Sequence, residues 1–274
     1  MIIGPEKDHR DREKGLLVYP VISRRSGGLS IGINLFPDTK VCSFDCPYCE
    51  VFPFTARQGF SLPLMEADLM KSLFRAGKQE IPVRDICFSG NGEPSVSPHF
   101  SSALRAAFCI RDREVPDAEL VLITNGTGLI EDEIFEQLRQ AALKDKGLCI
   151  WLKLDAGTPG WYKTINRSSI SYGAMIEKIK AFAVCAPLTL QTMICSINNL
   201  APSPEEGQAW EALVLDLASS AMELRGVQIY GKARPAPEDP YASALPINFL
   251  EARAASLRAV FDSAGINVPV MVYP

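Results

Sequence analysis

The sequence predicts an α/β protein of the partial (β/α)6 barrel class. Three observations carry that expectation. From Leu29 onward, short β-rich runs alternate with helical stretches, the pattern of parallel strands joined by crossover helices. The units number six, with one final short strand, fewer than the eight of a closed barrel, which takes about 250 residues when untrimmed. Polar residues recur where strand after strand ends, and in barrels the chemistry gathers at those carboxyl ends.

Bulk composition fits this class. At 274 residues, 47% hydrophobic and 22% charged, the chain reads as an ordinary soluble globular protein, long enough for one large domain. No apolar run approaches the length of a membrane span. A formal net charge of −4 argues against wholesale nucleic-acid binding and leaves room for a local basic patch. Eight cysteines are too few for a disulfide scaffold at this length. With no secretory n-region and h-region at the start, a reducing cytoplasm is the expected compartment.

Residues 1–16 mix charges densely (Glu6 to Lys14) without apolar periodicity, so a solvated or poorly ordered segment is expected there, with no chemistry at His9 and the domain proper over 17–274. Leu16 to Val21 is a short apolar run. Ser23-Arg24-Arg25-Ser26-Gly27-Gly28 then reads as a flexible turn bearing two cations. A solvated loop accounts for Arg24 and Arg25; their place just before the first barrel strand also suits a phosphate or carboxylate on a substrate.

The first strand, 29–36, feeds the loop Lys40 to Glu50, which spaces Cys42, Cys46 and Cys49 as Cys-x3-Cys-x2-Cys. Thiolates this close select zinc, copper(I) or an iron-sulfur cluster. Zinc and clusters normally take four ligands, yet the next cysteine is Cys87, and His9 and His99 are remote in sequence. A structural zinc site is a closed set of paired Cys-x2-4-Cys units. A cubane cluster tolerates the gap, because three irons take the thiolates and the fourth stays open to a ligand.

The later strands are expected near 85–90, 119–125, 148–155, 187–195, 226–231 and 267–272. Helices are expected over Leu64–Ala76, His99–Arg111, Glu131–Leu143, Gly173–Val184, Pro204–Ser219 and Pro246–Ala264. The second strand runs into Ser89-Gly90-Asn91-Gly92-Glu93-Pro94. Its glycines let backbone approach a ligand closely, and a recessed Glu93 needs a cation; an ordinary turn has the same composition. The third strand ends in Thr124-Asn125-Gly126 and the fifth carries Gln191 and Thr192; the amides Asn125 and Gln191 either cap loops or hold ligands. In the fourth, Cys149, Trp151, Lys153 and Asp155 alternate with Leu148, Ile150, Leu152 and Leu154, so Lys153 and Asp155 share the lumen face, as an ion pair or as ligand-holding groups. The sixth passes Gln228 and Tyr230 to reach Lys232 and Arg234. Cys87, Cys109, Cys149, Cys185 and Cys195 sit mostly in apolar runs and read as small buried hydrophobes.

The cysteine spacing, with aromatic Tyr48 just before the last thiol, resembles the hallmark loop of the radical S-adenosylmethionine (SAM) superfamily. Gly90-Asn91-Gly92-Glu93-Pro94 resembles that family's Gly-Gly-Glu-Pro motif, which contacts the methionine ammonium, with Asn91 replacing one residue of the familiar form. Ser23-Arg24-Arg25, Gly32 to Leu35, Ser89 to Pro94, Thr124 to Gly126, Lys153 to Gly157, Ile165-Asn166-Arg167, Gln191 to Met193 and Arg234-Pro235 are similar to the group related to tRNA 4-demethylwyosine synthase, over about residues 17–272.

The resemblance implies a partial (β/α)6 barrel of the radical SAM type, a 4Fe-4S cluster on Cys42, Cys46 and Cys49, and S-adenosyl-L-methionine held by Tyr48, Gly90, Asn91, Gly92, Glu93, Asn125, Lys153, Asp155 and Gln191. Arg24, Arg25, Tyr230 and Arg234 become substrate-binding candidates. It also implies a flavodoxin- or ferredoxin-type electron donor, reductive cleavage to a 5′-deoxyadenosyl radical, and hydrogen abstraction from a substrate. Wyosine synthase condenses pyruvate carbons onto N1-methylguanosine in tRNA and carries three further cysteines upstream; this sequence has none before Cys42. A small-molecule or peptide substrate is therefore preferred, with tRNA as the alternative and a non-catalytic iron-sulfur or zinc protein as a third reading. A tRNA substrate would call for Arg24, Arg25, Lys163, Arg167, Lys232 and Arg234 to form one basic surface.

Overall fold

The computed structural model describes residues 16–56 and 59–274, so the charged opening segment falls, apart from Leu16, outside the described residues. In chain order the elements are β1 (Val18–Ser23), β2 (Gly28–Asn34), α1 (Leu62–Lys78), β3 (Val83–Ser89), α2 (Phe100–Glu114), β4 (Glu119–Thr124), α3 (Asp132–Ala142), β5 (Leu148–Lys153), α4 (Pro159–Ile165), α5 (Tyr172–Cys185), β6 (Leu188–Ile197), α6 (Pro204–Ser220), β7 (Leu224–Gly231), β8 (Ala242–Ala244), α7 (Ile247–Ala264) and β9 (Val270–Tyr273). The chain divides into two compact units, one of Met1–Cys42, Pro53–Thr124 and Asp145–Cys149, the other of Ser43–Phe52, Asn125–Lys144 and Ile150–Pro274.

In the first unit β1 and β2 form an antiparallel hairpin, and β2, β3 and β4 run parallel, with Asn34 opposite Ser89 and Phe88 opposite Leu122. β2 and β3 are buried along most of their length, which is why they read as near-continuous apolar runs rather than alternations. The hairpin partner β1 was not among the expected strands. It packs closely because Gly32 leaves room: a Cβ there would lie 2.3 Å from the Tyr19 ring. The Tyr19 hydroxyl is hydrogen-bonded to Ser89 Oγ at 2.7 Å, anchoring the end of β3. α1 buries Met65, Leu69, Leu73 and Ala76, one stripe at helical spacing.

In the second unit β5, β6, β7 and β9 run parallel in that order, with the short β8 antiparallel on β6. The register sets Lys153 beside Gln191, Gln191 beside Gln228 and Met193 beside Tyr230, so polar side chains line up across neighbouring strands. All ten residues of β6 are buried. α4 is a helix the reading above omitted, although its start is signalled: Thr158 accepts from the Trp161 amide as N-cap, and Pro159 follows. The segment after Asp155 is clamped to α6. A Cβ on Gly157 would meet the Trp210 backbone nitrogen at 2.1 Å, Trp210 Nε1 donates to the Leu154 carbonyl at 3.0 Å, and Glu206 accepts from the Gly157 amide at 2.5 Å.

Every expected strand from 29–36 onward and every expected helix is present, with ends displaced by a few residues. Of the five cysteines outside the loop, Cys87 and Cys195 are buried as expected and Cys149 and Cys185 are half-buried, but Cys109 is exposed on α2, where the helical stripe turns it away from the core. Among the described residues, no helix is long and apolar enough to cross a membrane.

Candidate functional site

At the carboxyl end of β3 in the first unit, the chain turns through Gly90 at φ +114°, a conformation that disfavours any side chain. Gly92 then forms a parallel bridge with Val41, and the Glu93 amide donates to the Val41 carbonyl at 2.9 Å. The fit admits only glycine: a Cβ on Gly92 would lie 1.9 Å from the Val41 oxygen. Asn34 braces the turn, its Oδ1 accepting from the amides of Asn91 (3.2 Å) and Phe36 (3.1 Å). Asn91 donates through Nδ2 to the Phe36 carbonyl at 3.2 Å, while its buried Oδ1 has no hydrogen-bond partner among the described residues. Glu93 is 3% exposed. Its Oε1 accepts from the Ser95 amide at 3.1 Å, Ser95 Oγ at 2.5 Å and Thr124 Oγ1 at 2.7 Å, which fixes the orientation of the carboxylate.

In the second unit the loop Ser43–Phe52 is held by three anchors. Ser43 Oγ is hydrogen-bonded to Thr127 Oγ1 and accepts from Asn125 Nδ2 at 3.4 Å, while Asn125 Oδ1 accepts from the Thr127 amide at 2.9 Å. Asn125 thus shapes a loop end and ties it to the cysteine loop. Asn166, at the end of α4, accepts from the Asp45 amide at 3.0 Å, and Phe44 meets the Tyr162 ring edge-on at 5.7 Å.

The third anchor is a network around Asp155, whose side chain is fully buried. The Tyr48 hydroxyl donates to Asp155 Oδ2, Asn166 Nδ2 donates to the same oxygen at 2.8 Å, and the Met193 amide donates to Oδ1 at 2.9 Å. Lys153 donates to the Tyr48 hydroxyl at 2.7 Å and lies 3.8 Å from Asp155, with its ammonium 4.6 Å from the Tyr48 ring centroid and 5.5 Å from that of Tyr230. Burial works against the Lys153 charge, but Asp155, Tyr230 and Cys46 outweigh it and raise its pKa, so it is an ammonium at neutral pH. Burial, then the Asp155 charge, pushes the Tyr48 phenol well above its ordinary value and keeps it neutral. Asp155 therefore satisfies the cation and orients the tyrosine in the cysteine loop. Nearby, Gln191 donates to Gln228 Oε1 at 2.6 Å, leaving its own buried Oε1 without a hydrogen-bond partner among the described residues.

Arg24 and Arg25 lie in the β1–β2 turn, which opens onto Gly28, the amino end of β2; Gly90–Glu93 sits at the opposite, carboxyl end of these parallel strands. In the second unit Arg167 makes a bidentate pair with Glu238 (2.7 and 2.9 Å), Lys232 pairs with Asp239 at 2.6 Å, and Arg234 pairs with Glu50 at 2.8 Å. Lys163 is exposed on α4. Tyr230 stands beside Lys153.

The donors present fit an iron-sulfur cluster. Cys42, Cys46 and Cys49 are free, half-buried thiols, and soft thiolates are the donors such a cluster takes. Burial pushes the free Cys46 thiol up to about 12, the largest cause ahead of neighbouring charges. A ligated metal offsets that cost by deprotonating the thiol outright. Within the first unit, the orphaned Asn91 Oδ1 and the glycine-only turn at Gly92 suit close approach of a polar ligand.

The sequence pattern of the radical SAM superfamily matches residues 36–183. A UPF0026 protein of Synechocystis is 27% identical over 182 residues, 65% of this chain and 64% of that protein; one from Helicobacter pylori is 24% identical over 44% of this chain and 38% of that protein. The chain thus spans less than two thirds of the curated relatives it matches. Among solved structures, a radical SAM methyltransferase from Sphaerobacter thermophilus superposes with TM-score 0.66 at 13% identity, covering 93% of this chain and 69% of that one. Streptococcus suis SuiB bound to precursor peptide SuiA gives 0.64 at 13%, over 91% and 50%. These likenesses show the fold, the α/β partial barrel expected from the sequence.

Proposed function

The chain belongs to the radical SAM superfamily, and on that premise we propose that Cys42, Cys46 and Cys49 hold the 4Fe-4S cluster, Glu93 takes the methionine ammonium of S-adenosyl-L-methionine, and the enzyme abstracts hydrogen from a small molecule or peptide. The observation that carries this reading lies within the first unit. Val41, immediately before Cys42, is hydrogen-bonded to Gly92–Glu93, so the start of the cluster loop and the carboxylate for the ammonium are one rigid piece.

When bound, cluster and cofactor supply a one-electron cleavage that yields a 5′-deoxyadenosyl radical; the protein supplies position and exclusion of water. Ser95 and Thr124 hold Glu93 through Oε1, so a cation is met by a carboxylate already oriented. Asp155 holds Tyr48, and with it the loop between Cys46 and Cys49, while accepting the Lys153 charge. Lys153 offers a fixed ammonium between two aromatic rings, suited to a carboxylate or ribose oxygen of cofactor or substrate. The electron donor is a flavodoxin or ferredoxin, and the setting is the reducing cytoplasm.

Glu93→Gln replaces a charge-assisted hydrogen bond with a neutral one about half as strong. Cofactor affinity is expected to fall about tenfold with cluster content unchanged, read by titrating the reconstituted protein. Unaltered affinity removes Glu93 from the site.

Against tRNA stand the carboxylate partners of Arg167, Lys232 and Arg234, which neutralise cations that phosphates would have to claim. Binding to bulk tRNA, measured against salt, is expected to be weak and shallow. Each phosphate contact adds a slope of roughly −0.7 to −0.9 in log affinity against log salt. A slope worth several contacts, lost on Arg24→Ala, Arg25→Ala or Lys163→Ala, makes RNA modification of the wyosine-synthase type the better reading.

A further inference from the structure

Asn166 donates to two different acceptors through one carboxamide. One N–H reaches Asp155 Oδ2 at 2.8 Å, and the Nδ2 to Cys46 Sγ distance is 3.7 Å, within the range of a hydrogen bond to sulfur. Its backbone carbonyl accepts from the Asp45 amide at 3.0 Å and lies 3.9 Å from Cys46 Sγ. The side chain is buried, the residue being 2% exposed, and two bonds fix its orientation: the Asp155 contact at one end and the helical bond from its own amide to the Tyr162 carbonyl, 2.9 Å, at the other. Once Cys46 is a thiolate its own proton is gone, so the thiol-to-carbonyl contact disappears and the carboxamide N–H becomes the bond this residue gives the sulfur. Asp155 also orients Tyr48, so one carboxylate aligns both the aromatic residue of the cysteine loop and the donor to its middle thiolate.

We propose that Asn166 is a positioning residue that tunes the cluster through an N–H···S bond to Cys46, with Asp155 as the group that aims it. This rests on the proposed ligation by Cys46. Hydrogen bonds to ligand sulfurs are among the factors that set cluster potentials, because a donor draws electron density from the thiolate and stabilises the reduced, more negative state. Removing the donor makes the cluster harder to reduce.

The test uses the full chain, reconstituted anaerobically, with midpoint potential read by an EPR-monitored redox titration and iron and sulfide quantified in the same samples. Asn166→Ala is expected to keep its cluster and to lower the reduction equilibrium constant about tenfold, a negative shift of about 59 mV for one electron. Asn166→Ser, which retains a short donor, is expected to recover part of that shift. A full cluster in Asn166→Ala with the wild-type potential overturns the proposal. Should Asn166→Ala take up no cluster, the wild-type protein labelled with 15N-asparagine decides: a 15N coupling in the pulsed EPR spectrum of the reduced cluster is expected, and its absence overturns the inference. A wild-type chain that binds no iron and sulfide sinks the proposed ligation and this inference with it, whereas an unchanged potential counts against Asn166 alone.

Discussion

Alanine at Cys42, Cys46 or Cys49 is expected to abolish the iron-sulfur chromophore, each substitution alone, while far-ultraviolet circular dichroism and thermal unfolding of the metal-free chain stay near wild type. The reason is a difference in what each thiol does. As a side chain it is half-buried, so its truncation, the loss of one sulfur atom, removes less packing than a large-to-small change in the core. As a proposed ligand it is one of three, and two thiolates would not hold a cubane that lacks a fourth protein ligand. The loop itself survives each change, because Ser43, Phe44 and Asp45 are anchored through Thr127, Tyr162 and Asn166 rather than through sulfur. Iron and sulfide quantified after anaerobic reconstitution provide the readout. Full occupancy in any single variant, or zinc in place of iron and sulfide in the wild type, overturns the ligand assignment.

Candidate residues are legible in the sequence where their pattern depends on near neighbours. The thiol spacing, the glycines around Asn91 and the alternation that turns Lys153 and Asp155 to one face are all local, and the parallel strands follow from their apolar runs. What stayed hidden depends on partners far along the chain. Arg234 looked available for a substrate, but it pairs with Glu50, next to Cys49 and 184 residues away. Arg24 and Arg25 were attached to the first barrel strand without its hairpin partner β1, so the end of the sheet they occupy could not be read. β1 escaped because its evidence is the Tyr19–Gly32 contact, a pairing rather than a periodicity. Asn166 lies in the stretch Ile165-Asn166-Arg167, but its place beside Asp155 comes from the short α4 that delivers it, and seven residues carry too little periodicity to announce a helix. The Thr158–Pro159 start signal was the available clue.

The second large effect is expected at Gly92. Gly92→Ala places a Cβ 1.9 Å from the Val41 carbonyl oxygen, 2.8 Å from its carbon and 3.0 Å from the Phe36 ring. The nearest group is backbone, which cannot rotate away as a side-chain tip would, so the Val41–Gly92 bridge and the Glu93-to-Val41 hydrogen bond must open. Overpacking of this kind costs about 1–3 kcal/mol, a fall in Tm of roughly 5 °C for a protein of this size. The functional loss should exceed the stability loss, because the strand that parts from Gly92 leads directly into Cys42 while Glu93 is carried on the other side of the same bridge. Gly77→Ala supplies the contrast: nothing lies within 4 Å of its Cβ position near the end of α1, and alanine there is expected to be neutral or to stabilise by about 0.4–1 kcal/mol through the unfolded chain. Tm, cluster content and cofactor affinity measured on both variants separate the two effects. Wild-type cofactor affinity and cluster content in Gly92→Ala would show that the joined Val41–Gly92 backbone is dispensable, and with it the observation on which the proposed function rests.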